Sequence, residues 1–215
     1  MSKHRIQIRF VKQGDLRMIS HRDLVRTMER LFRRADLDLA MSEGFHPRPK
    51  MSFPSALAVG IAALDEVMEL ELNQPVGNDE LLERLRQQEV PGLEFQSVRV
   101  LNSTERKGQL ETTTYEFAVP VERRGQTVVN IEEFLARPQC FVNRPKRSAP
   151  VNIRAGVQHL ELKNGTLHIS LSAGREASVR PRDVLEVLGL ADLEQQGEYL
   201  TRTQVELAYA TTKDK

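Results

Sequence analysis

The chain has 215 residues, of which 40% are hydrophobic, and a formal net charge of +1. That length allows one large domain or two of about 100 residues each. No stretch approaches the roughly 20 apolar residues needed to cross a bilayer, so no membrane partner is expected. The single cysteine, Cys140, excludes an intrachain disulfide and any cysteine-built zinc or iron–sulfur site. No signal-peptide pattern precedes the first strand, and a reduced, cytoplasmic location is expected.

In chain order, Ile6, Ile8 and Phe10 alternate with Arg5, Gln7 and Arg9, the period-two pattern of a half-buried strand. Gly14-Asp15 marks a turn. Ser20, with Asp23 three positions on, predicts a capped helix start. Leu24, Met28, Leu31, Phe32 and Ala35 then recur at helical spacing and form its buried stripe. Residues 41–50 carry Gly44, Pro47 and Pro49 and are expected to be irregular. Met51, Phe53, Leu57, Val59 and Ile61 share one parity, and Pro54 assigns that strand to a sheet edge. Met68, Leu70 and Leu72 predict the next strand and Asp79 to Gln88 a short helix. Leu93 to Leu101 predicts a strand whose phase slips between Phe95 and Val98.

The resulting order, β-α-β-β-α-β, is that of the ferredoxin-like split unit. Residues 102–113 are polar and read as a linker, after which the cycle repeats. Tyr115, Phe117, Val119 and Val121 alternate. Asn130, with Glu133, reads as the cap of a short helix ended by Pro138. Leu160 and Leu162 mark a strand, Asn164-Gly165 a hairpin turn, and Leu167, Ile169 and Leu171 the returning strand. Pro181 opens a helix closed by Gly189, and Val205, Leu207 and Tyr209 finish the second sheet. The expected fold class is therefore α+β, as two tandem ferredoxin-like halves with antiparallel sheets. They cover 1–101 and 114–215, on either side of the linker.

Charge is unevenly distributed. Residues 1–50 hold 12 Lys and Arg against 6 Asp and Glu, a balance of +6, so the remainder carries −5. Arg22, Arg26, Arg30 and Arg33 stack on one helical face, with Arg34 adjacent, and such a stripe can neutralise a phosphate backbone. A solvated helix face is the plainer reading. The following loop brings the two readings level. Gly44 permits a tight turn, Pro47 and Pro49 stiffen the path, and His46, Arg48 and Lys50 are displayed on it. Preordered donors lose less entropy on binding. A rigid connector with solvated charges is the alternative.

His21 and His46 are candidates for acid–base chemistry, because histidine titrates near neutral pH. No spacing rule brings them together. His159 and His168 fall in expected strands and read as structural. No metal-ligand spacing is present, and no cofactor is expected. The open face of the first sheet lacks the exposed aromatics of a base-stacking platform. Arg5, Gln7, Arg9, Glu69 and Glu71 occupy that parity and are expected to pair across the strands. Nucleic-acid contact is then expected to be to phosphate and shape. In the second half, Arg144, Lys146, Arg147, Arg175, Arg180 and Arg182 read as solvated loop charges, although the helix start at Pro181 offers an anion site.

The run from Lys12 to Leu24 (KQGDLRMISHRDL), Arg33-Arg34, the run from Ser42 to Phe53 (SEGFHPRPKMSF) and Leu57-Ala-Val-Gly60 resemble the radical-SAM-linked protein family. Residues 5–72 carry the specific likeness. Val151-Asn-Ile-Arg154 and Ser178-Val-Arg-Pro181 add thinner matches. The resemblance implies partnership with a radical SAM protein, and the gene surroundings of relatives in that family imply RNA maturation or modification.

Three readings follow. The first is a non-catalytic accessory protein that binds structured RNA, ribosomal or transfer, through Arg26, Arg30, Arg33, Arg48 and Lys50. In it Gly44, Pro47 and Pro49 shape the loop. The second is a metal-independent RNA-processing enzyme using His46, with His21 as second group. The third is a protein-only adaptor that docks a radical SAM partner.

Overall fold

The computed structural model describes residues 4–145, 147, 149–173 and 179–210. Lys146, Arg175 and Ser178, singled out above, lie outside the described residues. The chain is a mixed α/β protein in which antiparallel sheet dominates and helices are few. It divides into two units, Met1–Leu110 with Leu207–Lys215, and Glu111–Glu206.

In the first unit, β1 (His4–Lys12) pairs antiparallel with β3 (Ala62–Leu72) and with β4 (Leu93–Val100). A two-residue strand, β2 (Met51–Ser52), lies on the other side of β3, giving the order β4-β1-β3-β2. The period-two alternation of β1 sends Ile6, Ile8 and Phe10 into one core. There they meet Leu24, Met28, Leu31 and Phe32 of α1 (His21–Arg34), and Leu81 and Leu85 of α2 (Asn78–Arg86). Both helices therefore cover one face of the sheet, and burial of these apolar side chains drives the packing.

The expected long edge strand from Met51 to Ile61 does not form. Pro54 lacks an N–H and follows the two residues that do pair, Met51 with Leu70 and Ser52 with Glu69. The phase slip near the end of the unit is a bulge. Arg9 faces Ser97 and Phe10 faces Phe95, leaving Gln96 as the extra residue. The Gly14-Asp15 turn opens a 3-10 helix, Gly14–Met18. Buried Lys12 steadies it by donating to the carbonyls of Arg17 and Ile19, both at 3.4 Å.

Residues 102–108 do not run free. The Arg5 guanidinium donates to the carbonyls of Glu105 and Arg106, and the Gly108 N–H donates to Glu69 at 2.9 Å. Residues 109–113 already belong to β5 (Gln109–Ala118).

The second unit has the order β10-β5-β9-β8, from β8 (Val157–Lys163), β9 (Thr166–Ser172) and β10 (Thr201–Ala208). Asn164-Gly165 makes the two-residue β8–β9 turn with φ of 53° and 83°, the left-handed pair this hairpin demands. The helix expected to be capped by Asn130 begins well before that residue, as α3 (Val121–Ala136). Strand β5 ends at Ala118 and Pro120 directly precedes the helix, while Asn130 sits inside the helix, donating its amide to the Leu188 carbonyl at 2.9 Å. An unexpected ribbon, β6 (Phe141–Val142) with β7 (Val151–Asn152), lies between α3 and β8. The helix α4 (Pro181–Val187) ends before Gly189, which adopts φ 69°. Val205 is buried in this unit, but Leu207 and Tyr209, expected to finish its sheet, belong to the first.

Candidate functional site

The basic helix owes its position to its buried side. Ser20 caps α1, accepting the Asp23 N–H at 3.2 Å while its hydroxyl donates to the Asp23 carboxylate at 2.6 Å. With Leu24, Met28, Leu31 and Phe32 in the core, Arg22, Arg26, Arg30, Arg33 and Arg34 are left exposed. At 100° per residue, Arg33 returns to within about 20° of Arg22, whereas Arg30 lies roughly 80° around the helix.

The loop that follows is tied into the sheet. The Ala40 N–H donates to the Glu71 carbonyl at 2.8 Å, the Lys50 N–H to the Ala40 carbonyl at 2.8 Å, and the Glu71 N–H to the Lys50 carbonyl at 3.0 Å. One step outward, the Ser42 N–H donates to the Arg48 carbonyl at 2.8 Å, and the Arg48 N–H to the Ser42 hydroxyl at 3.0 Å. The segment is thus a laced hairpin. Its tip runs from Glu43 to Pro47, with Gly44 at φ 121°, a conformation in which a side chain is strained.

Helix and loop converge. Arg22, Val25, Arg26, Glu29, Arg33, Pro47, Arg48 and Pro49 line one open groove of about 290 Å³. Four guanidiniums face a single carboxylate there. Arg26 lies 3.6 Å from Asp23, with both side chains about half exposed, a pairing worth little in water. Among the described residues, the side chains of Arg22, Arg33 and Arg48 have no hydrogen-bond or ion-pair partner, and neither does Arg30. Arg34 donates to the Gln88 carbonyl at 3.3 Å.

The remaining candidates lie elsewhere. Arg30 does not line the groove. Lys50 lines a second hollow of about 360 Å³ with Arg5, Lys107, Glu69 and Glu71, and its ammonium is 3.8 Å from Glu71. His46 is exposed at the hairpin tip. His21 stands edge-on against Phe53, ring centroids 5.1 Å apart. Neither imidazole lines the groove. The groove includes Arg22 but not Arg30 or Lys50, so the expected set is regrouped by helical phase and by the loop's docking. One residue was missed altogether, Phe45, which is fully exposed at the tip. Its only signal in the sequence is an aromatic with no apolar periodicity around it.

The open face of the first sheet is occupied by polar pairs, but of those expected among Arg5, Gln7, Arg9, Glu69 and Glu71 only Arg5 with Glu69 forms, Glu71 lying beside Lys50 instead. Arg5 meets Glu69 at 2.9 Å and Arg9 meets Asp65 at 2.5 Å. Tyr209 donates to Glu69 at 3.0 Å and accepts from Gln7 at 2.5 Å, with the Arg99 guanidinium 4.9 Å above its ring. Burial, and then the Glu69 carboxylate, hold the Tyr209 phenol above its ordinary value. The backbone N–H of Asn102 holds the Glu105 carboxyl below its own.

Of the second-unit cations expected as solvated charges, Arg144 and Arg182 are paired, whereas Arg147 and Arg180 are exposed. Arg144 is buried against Asp183 at 2.5 Å, and Asp183 also accepts the Arg180 N–H at 3.0 Å. That carboxylate occupies the α4 N-terminus, which had offered an anion site. Arg182 grips both oxygens of Glu194 at 2.9–3.1 Å. Arg147 is exposed. Among the described residues, no group of three or more His, Cys, Asp or Glu is placed to hold a metal ion. No described helix is long and apolar enough to cross a membrane.

Comparison with known proteins adds little beyond family. No curated protein matches the chain. A solved structure of an unknown protein from Galdieria sulphuraria aligns over 96% of this chain and 99% of its own, at 11% identity and a TM-score of 0.30. That likeness is too slight to carry any conclusion. A family profile described as "uncharacterized protein conserved in bacteria (DUF2344)" matches residues 5–181, well over half of the length. The chain belongs to that family.

Proposed function

We propose that this protein is a non-catalytic accessory factor that binds structured RNA, ribosomal or transfer, and presents it to a radical SAM enzyme for maturation or modification. The partner is inferred from the family resemblance carried by residues 12–60. The strand orders β4-β1-β3-β2 and β10-β5-β9-β8 support reading both units as ferredoxin-like, each with its second strand at an edge.

One observation carries the RNA reading. Arg22, Arg26 and Arg33 from α1 and Arg48 from a separate loop line a single groove whose one lining carboxylate is Glu29, with Asp23 3.6 Å from Arg26. Arg22, Arg33 and Arg48 have no side-chain partner among the described residues, and guanidiniums so placed repel one another. A polyphosphate ligand relieves that repulsion, takes bidentate hydrogen bonds and releases its own counterions. Because the open sheet face is filled by its own polar pairs, the groove is the better candidate surface.

The test is binding of purified ribosomal and transfer RNA fractions across a salt series. The chain with Arg22, Arg26, Arg33 and Arg48 all replaced by alanine is the comparison. Affinity should fall steeply with salt in the native chain. The slope of log affinity against log salt should flatten by about three in the variant, at roughly 0.7–0.9 per phosphate contact. Weak binding that the variant leaves unchanged would remove the RNA reading and leave the basic face to an acidic protein surface.

A further inference from the structure

Phe45 is left unused by a phosphate-binding groove. The chain has 8 phenylalanines, and Phe10, Phe32, Phe95, Phe117 and Phe134 are buried, whereas Phe45 is 102% exposed. A phenylalanine wholly in water forgoes the burial that normally stabilises it. It is also not on a loose segment. The lacing between Ala40 and Lys50, and between Ser42 and Arg48, sets the hairpin stem, and Gly44 at φ 121° and Pro47 bracket the tip.

We propose that Phe45 is a stacking finger for an unpaired nucleobase, so that the ligand of the arginine groove is an RNA with a single-stranded or extruded nucleotide. This rests on the RNA reading above. The chemistry around the ring favours a base over a protein side-chain pocket. Glu43, Gly44, His46, Pro47 and Arg48 are all exposed, and none of them is a large apolar residue; the exposed apolar side chain nearest in the hairpin is Met41 of the stem, 42% exposed, short of the broad patch that marks protein docking. Stacking needs only the π-face that every base has, and the nucleotide brings a phosphate with it through the ribose. Arg48, which lines the groove, is three residues from Phe45, within about 10 Å of extended chain. A phosphodiester joined to the stacked base thus falls within reach of the guanidiniums. The proposal departs from the expectation drawn from the sheet face, that contact is mainly to phosphate and shape.

The chain contains no tryptophan, so Phe45→Trp places a single fluorescent reporter at the tip. Three probes separate the contributions: single-stranded oligouridylate, a fully paired RNA duplex and inorganic polyphosphate. Stacking predicts that oligouridylate quenches the introduced tryptophan, while the duplex and polyphosphate bind without quenching it. It also predicts that Phe45→Ala weakens oligouridylate binding on the order of tenfold and leaves polyphosphate binding unchanged. Salt-dependent binding of all three probes, with unchanged emission and unchanged affinity in Phe45→Ala, overturns the stacking finger. That result spares the arginine groove and leaves a protein as the occupant of the tip. Failure of all three probes to bind at low salt overturns the groove reading and the finger together.

Discussion

In the second unit, Arg123 lies 2.9 Å from Asp192, Arg182 grips Glu194 through several hydrogen bonds, and Arg144 is buried against Asp183. In α1 of the first unit, Arg22, Arg30 and Arg33 have no partner among the described residues, and Arg48 of the neighbouring loop has none either. The difference lies in the carboxylates. The second unit places an acidic residue opposite each of those guanidiniums. The exposed face of α1 has only Asp23 and Glu29 among its arginines. Arginines already matched serve the fold, and those left unmatched are available to a ligand.

The contrast breaks most visibly at the buried pair. The Arg144 and Asp183 side chains are 6% and 10% exposed. Asp183→Ala removes the carboxylate from beside a buried guanidinium and takes the acceptor from the Arg180 N–H, and should cost about 3–5 kcal/mol in urea unfolding. If it costs no more than an exposed substitution, the second unit's arginines are not structural.

Tyr209→Phe removes two hydrogen bonds around buried Glu69 and should cost about 1–2 kcal/mol. It also has a pH signature. The phenol is raised in the folded state, so its contribution is complete below the ordinary tyrosine value of about 10 and is lost as pH rises through the raised folded value. The alkaline loss of stability should therefore be shallower in Tyr209→Phe than in the native chain.

Ser20→Ala removes the α1 cap and should cost about 1 kcal/mol. Arg33→Ala should sit at the bottom of the scale, within about 0.5 kcal/mol of the native chain, as for an exposed side chain without partners. A clear loss of stability there would mean that the α1 stripe is structural after all.

Much of the first unit is legible in the sequence because local pattern and burial agree there. The alternation through Ile6, Ile8 and Phe10, the Ser20 cap and the slip near Gln96 all depend on neighbours along the chain. The start of α3 was not legible. Arg123, Arg124 and Gly125 hide its first turn, only Thr127, Ile131 and Phe134 are buried, and Asn130 has the chemistry of a cap but makes a tertiary bond to Leu188. Tyr209 shares the parity of Val205 and Leu207, and alternation does not say which unit a strand end joins. For the groove, helical phase already groups Arg22, Arg26 and Arg33. The arrival of Arg48 depends on the docking of Ala40 and Lys50 against Glu71, which no local rule supplies. Phe45 was invisible as a site because exposure is a tertiary property.

The most direct measurement compares two variants in one RNA-binding salt series. The first replaces Arg22, Arg26, Arg33 and Arg48 with alanine, and the second replaces Arg123, Arg137 and Arg182, which have acidic partners. The account predicts that the first variant loses most of the salt-dependent affinity for structured RNA while the second keeps it. Equal losses in both variants, or none in the first, would contradict it.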